Sequence, residues 1–272
     1  MSKRKVKELL EELDERIEKV QSSEEFKEYL QFFSRFHDYS YRNILLIKMQ
    51  KPNAKLVAGF KQWQKKFNRY VKKGEEGIMI LAPYKYKKQV TELKKELVDG
   101  NVIEKEVEKE KQFVSFKPVY VFDVSQTEGE PVPALDTSIK DKNINILDSL
   151  IRMADNLNIG VEFKPLRKGL KGFSKGGDVV VDESLNNTEK AAVLVHEVAH
   201  ELLHYEKEVN SHLTKEIMEL EAEAIAYIVM DRLGIEINSD KYLALYKKSY
   251  NLMESFKRIN YVVVIIFDNI QG

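Results

Sequence analysis

The alternation of hydrophobic and polar positions in the first 130 residues predicts helices followed by strands. Leu9, Leu10, Leu13, Ile17 and Val20 recur at helical spacing and predict one or two amphipathic helices across residues 3–36. A short apolar stretch, Asn43–Gln50, stops at a Lys-Pro-Asn sequence, and Phe60–Tyr70 again has a helical pattern. Strands are predicted at Ile78–Ala82 and Lys117–Val124. The Lys/Glu-rich residues 85–112 between them are interpreted as a hairpin insertion or a mobile loop.

The pattern changes after Thr127–Pro133, where a glycine and two prolines mark a boundary. The helices predicted beyond it are Asn143–Leu157, Thr188–Tyr205, Lys215–Leu233 and Lys241–Ile259. The strands predicted there are Gly160–Phe163 and Asp178–Asp182, with a glycine-rich turn, Gly169–Gly177, between them. We therefore expect an α+β fold with a mixed α/β N-terminal domain at residues 1–130, a linker at 131–142 and a C-terminal domain at 143–272.

The composition of the chain limits the kinds of metal site, nucleophile and membrane segment that it can contain. The 272 residues contain no cysteine, which excludes disulfides, thiolate metal ligands and cysteine nucleophiles, so any metal must be held by His, Asp or Glu. The dense apolar run Tyr261–Phe267 is far shorter than the ~20 residues of a membrane-spanning helix. Charged residues make up 32% of the chain and no signal-peptide core follows the basic start, so we expect a cytoplasmic protein without a membrane span.

The sequence His196-Glu197-Val198-Ala199-His200 lies inside a strong helix signal. Two histidines four residues apart project from one face of a helix, so both imidazoles can reach one metal ion. A catalytic zinc site keeps three protein ligands and a water, and a glutamate beside the first histidine can act as the general base on that water. We therefore predict His196 and His200 as ligands of one Zn²⁺ and Glu197 as the catalytic residue, although Mn²⁺ also suits such a site.

The third ligand is expected on the next predicted helix, which offers Glu219, Glu221 and Glu223. Glu219 and Glu223 share a face, and the small residues Ala222 and Ala226 on that side would let two helices approach closely. We assign Glu219 to the metal and Glu223 to the orientation of a ligating imidazole, and the reversed assignment stays open. The strand Asp178–Asp182 is expected to line the cleft and to pair with an extended substrate.

These motifs resemble the ImmA/IrrE-type metallopeptidases, and the N-terminal half resembles the N-terminal domain of the ArdC antirestriction family. The N-terminal resemblance rests on four motifs in order: Tyr39–Ile47, Gly59–Trp63, Val71–Ile78 and Val121–Thr127. The resemblance implies a domain that binds single-stranded DNA, joined to a zincin-like metallopeptidase domain, in a protein of a mobile element. It covers almost the whole chain apart from residues 85–112.

Charge supports DNA binding independently of the resemblance. Residues 1–130 have a net charge of +5, and Tyr39–Gln89 contains 13 basic but only 2 acidic residues. Single strands are bound by basic grooves with aromatic rings on which bases stack. The candidate DNA-binding residues are Tyr39, Tyr41, Arg42, Lys61, Trp63, Lys72 and Lys73. Trp63 and Phe67, one helical turn apart, could instead be core residues, and for any single aromatic residue the core position is favoured. The basic face as a whole favours nucleic acid.

Three functions are consistent with the sequence. In the first, an N-terminal domain binds single-stranded DNA and a C-terminal zinc metallopeptidase cleaves a protein substrate that the sequence does not identify. In the second, the protein protects DNA by binding it and its metal site is not catalytic. In the third, it is a regulatory metallopeptidase that cleaves a repressor. Glu197 favours the first function, because a structural metal site needs no general base.

Overall fold

A computed structural model describes residues 3–20, 22–98, 101–132, 146–204, 213–237 and 251–270. Most of the predicted linker 131–142 lies outside these ranges, as do residues 241–250 of the last predicted helix. The described helices are α1 (Lys3–Glu18), α2 (Ser23–Arg35), α3 (Tyr41–Gln50), α4 (Phe60–Phe67), α5 (Ile146–Asn156), α6 (Asn187–His204), α7 (Lys215–Arg232) and α8 (Leu252–Ile270). The described strands are β1 (Val57–Gly59), β2 (Arg69–Val71), β3 (Ile78–Val98), β4 (Asn101–Asp123), β5 (Thr127–Gly129), β6 (Gly160–Lys164), β7 (Gly172–Ser174) and β8 (Asp178–Asp182).

The N-terminal helices bury the apolar faces that their periodicity predicts. Ser22 caps α2 by accepting a hydrogen bond from the backbone N–H of Glu25. The apolar stretch predicted at Asn43–Gln50 forms α3, whose residues 44–47 are fully buried. The helix predicted at Phe60–Tyr70 ends at Phe67, because Asn68 adopts a left-handed conformation with a φ of 51° and the chain continues as β2.

Residues 85–98 and 101–112 pair as the outer parts of β3 and β4 in a long hairpin, which is the first of the two interpretations above. The three-stranded sheet has the order β1-β4-β3, so β3 is an edge strand. Two side-chain amides of α3 complete the hydrogen bonds at that edge. Asn43 donates to the carbonyl of Leu81 and accepts from its N–H, both at 2.9 Å. Gln50 likewise donates to the carbonyl of Met79 and accepts from its N–H, both at 2.9 Å. These two side chains of α3 therefore bind backbone groups of β3 that a neighbouring strand would otherwise pair.

The buried carboxylate of Asp123 joins the end of β4 to the chain that leads into β1. Its Oδ1 accepts from the backbone N–H groups of Lys55 and Leu56 at 2.7 and 3.1 Å, and Oδ2 accepts from Ser125 N–H at 2.9 Å. Burial favours the neutral acid, but the hydrogen bonds from Ser125, Lys55 and Leu56 outweigh it and lower the pKa of Asp123.

The second part of the chain packs helices on a small sheet of order β6-β8-β7. β8 pairs with β6 in parallel and with β7 antiparallel, and its residues Val179, Val180 and Val181 are buried. The expectation that Asp178–Asp182 pairs with a substrate is therefore wrong, because both edges of that strand are already occupied. The edge strand is β7, which lies inside the segment predicted as a glycine-rich turn.

The last helix also differs from its prediction, since α8 continues to Ile270 and not to Ile259. Its β-branched run has a modest intrinsic helix propensity, but Val262, Val263 and Ile266 are fully buried against α5 and α7, and this tertiary packing decides the conformation. None of the described helices combines the length and the hydropathy that crossing a bilayer requires.

The N-terminal helices pack directly on the helices of the second part. α2 lies on α7, where Ser34 donates a 2.6 Å hydrogen bond to Asp231 and Gln31 donates to the hydroxyl of Tyr227. The buried hydrophobic residues of both parts form one continuous cluster. The boundaries at residues 130 and 143 remain a prediction.

We expect Asp123→Asn to lower the free energy of unfolding by about 1–3 kcal/mol at neutral pH, because a charged acceptor of several backbone N–H groups is lost. A carboxyl whose folded pKa is lowered stabilises the protein above its unfolded pKa, and this contribution is lost as the pH falls through the folded value. The difference between the wild type and the variant should therefore shrink as the pH falls below about 4. Urea unfolding at pH 7 and pH 3 measures it, and an equal difference at both pH values would contradict this role of the carboxylate.

Candidate metal centre

His196 and His200 project from α6 toward α7, which carries Glu219. The Nε2 atoms of the two histidines lie 3.1 Å apart. Oε2 of Glu219 lies 3.5 Å from Nε2 of His196 and 3.7 Å from Nε2 of His200. Within the part of the chain that the structure describes, these three residues form the one group of His and acidic side chains spaced to hold a metal ion.

The spacing of the three ligand atoms suits a small divalent cation. Zinc bonds to nitrogen and oxygen at about 2.0–2.2 Å in a tetrahedron, which places the ligand atoms roughly 3.3 Å from one another. The three distances of 3.1, 3.5 and 3.7 Å lie close to this value. Two neutral imidazoles and one carboxylate are also donors that zinc and manganese accept. The residues present therefore fit a divalent metal.

Glu223 approaches the other nitrogen of His196. Its Oε2 lies 3.2 Å from Nδ1, where it can accept the ring N–H and fix the tautomer that leaves Nε2 free for a metal. Glu219, in contrast, lies on the Nε2 side of both histidines. This geometry favours the assignment of Glu219 to the metal and Glu223 to the orientation of the imidazole over the reverse. The buried residues Ala222 and Ala226 keep the α6–α7 contact free of large side chains.

The electrostatics of the site favour bound positive charge. Burial alone would lower the pKa of His196, but its hydrogen bonds with Glu219 and Glu223 outweigh burial and raise the pKa to about 9. The same hydrogen bonds with His196 and His200 hold the pKa of Glu219 well below its usual range. Glu219 is therefore ionised at neutral pH, as a ligand must be.

Glu197 lies beside the ligands, half-buried in the wall of the same cavity. Burial raises the pKa of its carboxyl group above the usual value, against the opposing effect of His196 and His200. A raised pKa makes the carboxylate a stronger proton acceptor near neutral pH, and this is the property that a general base needs.

A cavity of about 850 Å³ opens in front of these residues, large enough for several side chains of a peptide. α6 and α7 form one wall, and the other contains Gly172, Phe173 and Ser174 of β7. β7 comes unusually close to α6: a Cβ atom on Gly172 would lie 2.6 Å from Cγ1 of Val193 and 3.2 Å from Cγ of Glu197. Only glycine allows this approach.

Glu201, one turn after Glu197 on α6, fixes the turn between β7 and β8. Its carboxylate accepts hydrogen bonds from the N–H groups of Gly176 and Gly177 at 2.8 and 2.9 Å. Both glycines have a positive φ, of 84° and 85°. The roles of Glu201 and Gly172 are not predictable from the sequence pattern. The glycine-rich segment was visible, but nothing in the sequence relates it to a carboxylate on α6.

The candidate DNA-binding residues have different surroundings. Arg42, Lys61, Lys72 and Lys73 are exposed, and Lys72 donates to the carbonyl of Ser125 at 3.0 Å. Tyr39 and Tyr41 are half-buried, and the hydroxyl of Tyr39 donates to the carbonyl of Val57.

Trp63 has no exposed surface, and its indole N–H donates to the carbonyl of Phe122 at 2.8 Å. Trp63 is therefore a core residue, and its ring has no free face for a base. The side chain of His204 lies outside the described part of the chain.

Two family descriptions match the chain in succession. Residues 2–122 match the N-terminal domain of anti-restriction factor ArdC, and residues 154–256 match the IrrE N-terminal-like domain of the M78 peptidases. The chain is thus an α+β protein with an ArdC-type domain followed by an M78 domain.

Individual proteins resemble the chain more distantly. An uncharacterized protein of Bacillus anthracis is 28% identical over 256 residues, which cover 80% of this chain and 42% of that protein, so the chain spans less than half of the relative's length. The metal-free crystal structure of the antirestriction protein ArdC from plasmid R388 has a TM-score of 0.49 at 15% identity, over 86% of this chain and 85% of that one. The Mn(II)-bound structure of that protein has a TM-score of 0.45 at 15% identity, over 90% and 98% of the two chains.

We expect Glu219→Ala to abolish stoichiometric zinc binding, because it removes one of three ligands. Glu223→Ala should still bind one zinc ion but with about 10- to 100-fold lower affinity, since it removes only the partner that orients His196. Titration against a competing chelator measures both affinities. Glu216→Ala, which changes an exposed glutamate one turn earlier on α7, is the matched control and should bind zinc like the wild type. Equal losses in the Glu219 and Glu223 variants would contradict the assignment.

Proposed function

Because the chain joins an ArdC-type N-terminal domain to an IrrE-like M78 peptidase domain, we propose that it is an antirestriction-type protein that binds single-stranded DNA and hydrolyses peptide bonds with zinc. One observation carries the catalytic part of the proposal. Three potential ligand atoms of His196, His200 and Glu219 face one another beside the half-buried carboxylate of Glu197, in an open cavity. A purely structural metal site would need neither the cavity nor the fourth residue.

Zinc held by these three residues would supply a Lewis acid that polarises a substrate carbonyl and makes a water molecule acidic near neutral pH. Glu197 accepts the proton of the attacking water and passes it to the leaving nitrogen as the peptide bond breaks. Glu223 keeps His196 in the tautomer that directs Nε2 into the site.

An extended peptide is the substrate geometry that the cavity suits. β7 lines the cavity, and β8 is its one partner among the described strands, so its other edge can pair with a further strand. Gly172 lets this edge approach Glu197, and Glu201 holds the turn that follows it. A peptide hydrogen-bonded to β7 would place its backbone carbonyls beside the ligand atoms.

The DNA-binding part of the proposal rests on the N-terminal half. Arg42, Lys61, Lys72 and Lys73 are exposed cations there, in a region of net positive charge. The same half matches the N-terminal domain of an anti-restriction factor. A domain that holds single strands would bring the peptidase to proteins that act on DNA, which is the class of substrate we propose.

We expect Glu197→Gln to lower the rate of peptide hydrolysis by about 10²- to 10⁴-fold and to leave zinc binding stoichiometric, because the amide keeps the shape of the side chain but cannot accept a proton. Hydrolysis of a mixed peptide library by the zinc-loaded protein, followed by mass spectrometry, measures the rate. Glu183→Gln, an exposed substitution, is the control.

The same Glu197→Gln variant separates the enzyme from a DNA-protecting binder. If hydrolysis is required, the variant should no longer protect unmodified DNA that is transferred into a restricting host. Full protection by the variant would show that DNA binding alone suffices, and site-specific cleavage of a repressor by a wild type that lacks DNA affinity would favour a regulatory peptidase.

We expect Gly172→Ala to bind zinc normally and to hydrolyse peptides at least tenfold more slowly, because the new methyl group forces β7 away from Val193 and Glu197. The peptide-library assay measures this loss. Gly59→Ala is the matched control, since a Cβ there meets only an ordinary contact of 3.6 Å with Gln62. Unchanged hydrolysis by the Gly172 variant would show that β7 does not position the substrate.

A further inference from the structure

Beyond the core, β3 and β4 continue as a two-stranded ribbon whose two faces differ in chemistry. Directly opposed residues of an antiparallel pair lie on one face, and alternate pairs lie on the other. The pairs Ala82–Lys117, Tyr84–Ser115, Tyr86–Phe113, Lys88–Lys111, Val90–Lys109 and Glu92–Val107 therefore share one face, which we call the aromatic face. The pairs Pro83–Phe116, Lys85–Val114, Lys87–Gln112, Gln89–Glu110 and Thr91–Glu108 share the opposite face.

A row of three rings lies on the aromatic face. The ring centroids of Tyr84 and Tyr86 are 6.0 Å apart, and those of Tyr86 and Phe113 are 5.7 Å apart with planes 27° from parallel. Tyr84 and Tyr86 remain 40% and 41% exposed, although each could bury far more surface in a core. Exposed and adjacent rings are the kind of surface on which successive nucleic-acid bases stack.

The lysines of the aromatic face are arranged as anion-binding groups. Lys88 lies directly opposite Lys111, and like charges placed in this way repel each other across a ribbon. Lys109 and Lys117 lie on the same face, and the Nζ atom of Lys117 stands 6.0 Å from the ring centre of Tyr84. Among its described side chains the face has one acid, Glu92, which forms ion pairs with Lys109 and Lys111.

Among the pairs named above for the opposite face, basic and acidic residues are equal in number. Lys85 and Lys87 are balanced there by Glu108 and Glu110, and Lys87 forms an ion pair with Glu110 at 2.6 Å. The same pairs contain one aromatic ring, that of the exposed Phe116, beside the exposed Val114. The two faces thus share one backbone but differ in the two properties that single-strand binding requires.

We propose that the aromatic face of the ribbon is a binding platform for single-stranded DNA, with bases on Tyr84, Tyr86 and Phe113 and phosphates at Lys88, Lys109, Lys111 and Lys117. This inference rests on the DNA-binding part of the proposed function and names the surface that performs it. From Ala82 to Val90 the ribbon advances roughly 26 Å at ~3.3 Å per residue, enough for a short stretch of nucleotides. The charge of the face, complementary to phosphate, argues for this occupant over a second copy of the chain.

The test compares the two faces with fluorescence anisotropy on the full chain and a labelled oligonucleotide of mixed sequence. Tyr84→Leu combined with Tyr86→Leu removes two rings but keeps apolar side chains, and we expect the affinity to fall at least tenfold. Tyr84→Phe with Tyr86→Phe keeps both rings and should bind within about twofold of the wild type. Phe116→Leu, the matched change on the opposite face, should have no effect.

A second pair of variants tests the lysines. Lys88→Gln with Lys111→Gln should lower the affinity and reduce the slope of log affinity against log salt concentration by about 1–1.5, since each phosphate contact on a single strand contributes about 0.7. Thermal stability should change little, because the loss of the repulsion between Lys88 and Lys111 is offset by the loss of the exposed ion pair between Lys111 and Glu92. Lys87→Gln on the opposite face should leave the salt slope unchanged.

The outcomes separate the platform from the proposed function. A wild type that binds the oligonucleotide while all aromatic-face variants bind equally well would overturn the platform and leave DNA binding to other residues of the N-terminal half. Failure of the wild type to bind single strands would overturn both. Sedimentation of each variant completes the test, because a change of oligomeric state in the Tyr→Leu variant with DNA affinity intact would assign the face to self-association.

Discussion

The close packing of α6 on α7 is the contact on which the candidate site depends. His196 and His200 belong to one helix and Glu219 to the other, so the three ligand atoms meet only if the helices approach at the right rotation. Ala222 and Ala226 permit the approach. The rotation of α7 about its own axis is determined by contacts with α8, on the side of α7 that faces away from α6. Glu221 has no exposed surface. Its carboxylate accepts a 2.9 Å hydrogen bond from Nε of Arg258 and a 2.7 Å hydrogen bond from Oγ of Ser255, both on α8. Loss of Arg258 would leave Glu221 as an unpaired buried charge, which would strongly destabilise the protein. Because Glu221 is held against α8, Glu219 and Glu223 on the other side of α7 face α6.

In the N-terminal half, too, buried or edge polar groups are satisfied by hydrogen bonds from side chains of neighbouring elements. Asn43 and Gln50 satisfy the edge of β3 where a strand would otherwise pair, and Asp123 accepts hydrogen bonds from the N–H groups of Lys55 and Leu56, just before β1. These contacts fix the base of the ribbon on α3, while its outer part extends beyond the buried core. The N-terminal helices also pack on α7 and α8, so the element that carries Glu219 contacts both parts of the chain.

The sequence predicted the elements that have strong periodicity and the site residues that lie on them. The spacing of His196 and His200 and the shared face of Glu219 and Glu223 follow from helix geometry alone, and these side chains do come together. What it could not predict depends on tertiary contacts. The strand β7 is three residues long within a glycine-rich segment, and its place beside Glu197 follows from the fold of the sheet. For Trp63 the sequence favoured a core position but left base stacking open, and its complete burial decides for the core. The end of α8 depends on the burial of its β-branched residues, which cannot be predicted from local helix propensity.

Anomalous diffraction from crystals of the zinc-loaded protein, recorded at the zinc absorption edge, tests the central claim most directly. We predict a single peak within about 2.0–2.2 Å of Nε2 of His196, Nε2 of His200 and a carboxylate oxygen of Glu219. Glu223 should remain on Nδ1 of His196, and a solvent oxygen should complete the tetrahedron on the side of Glu197. A peak elsewhere, or a fourth protein ligand that closes the site, would contradict a catalytic metal centre.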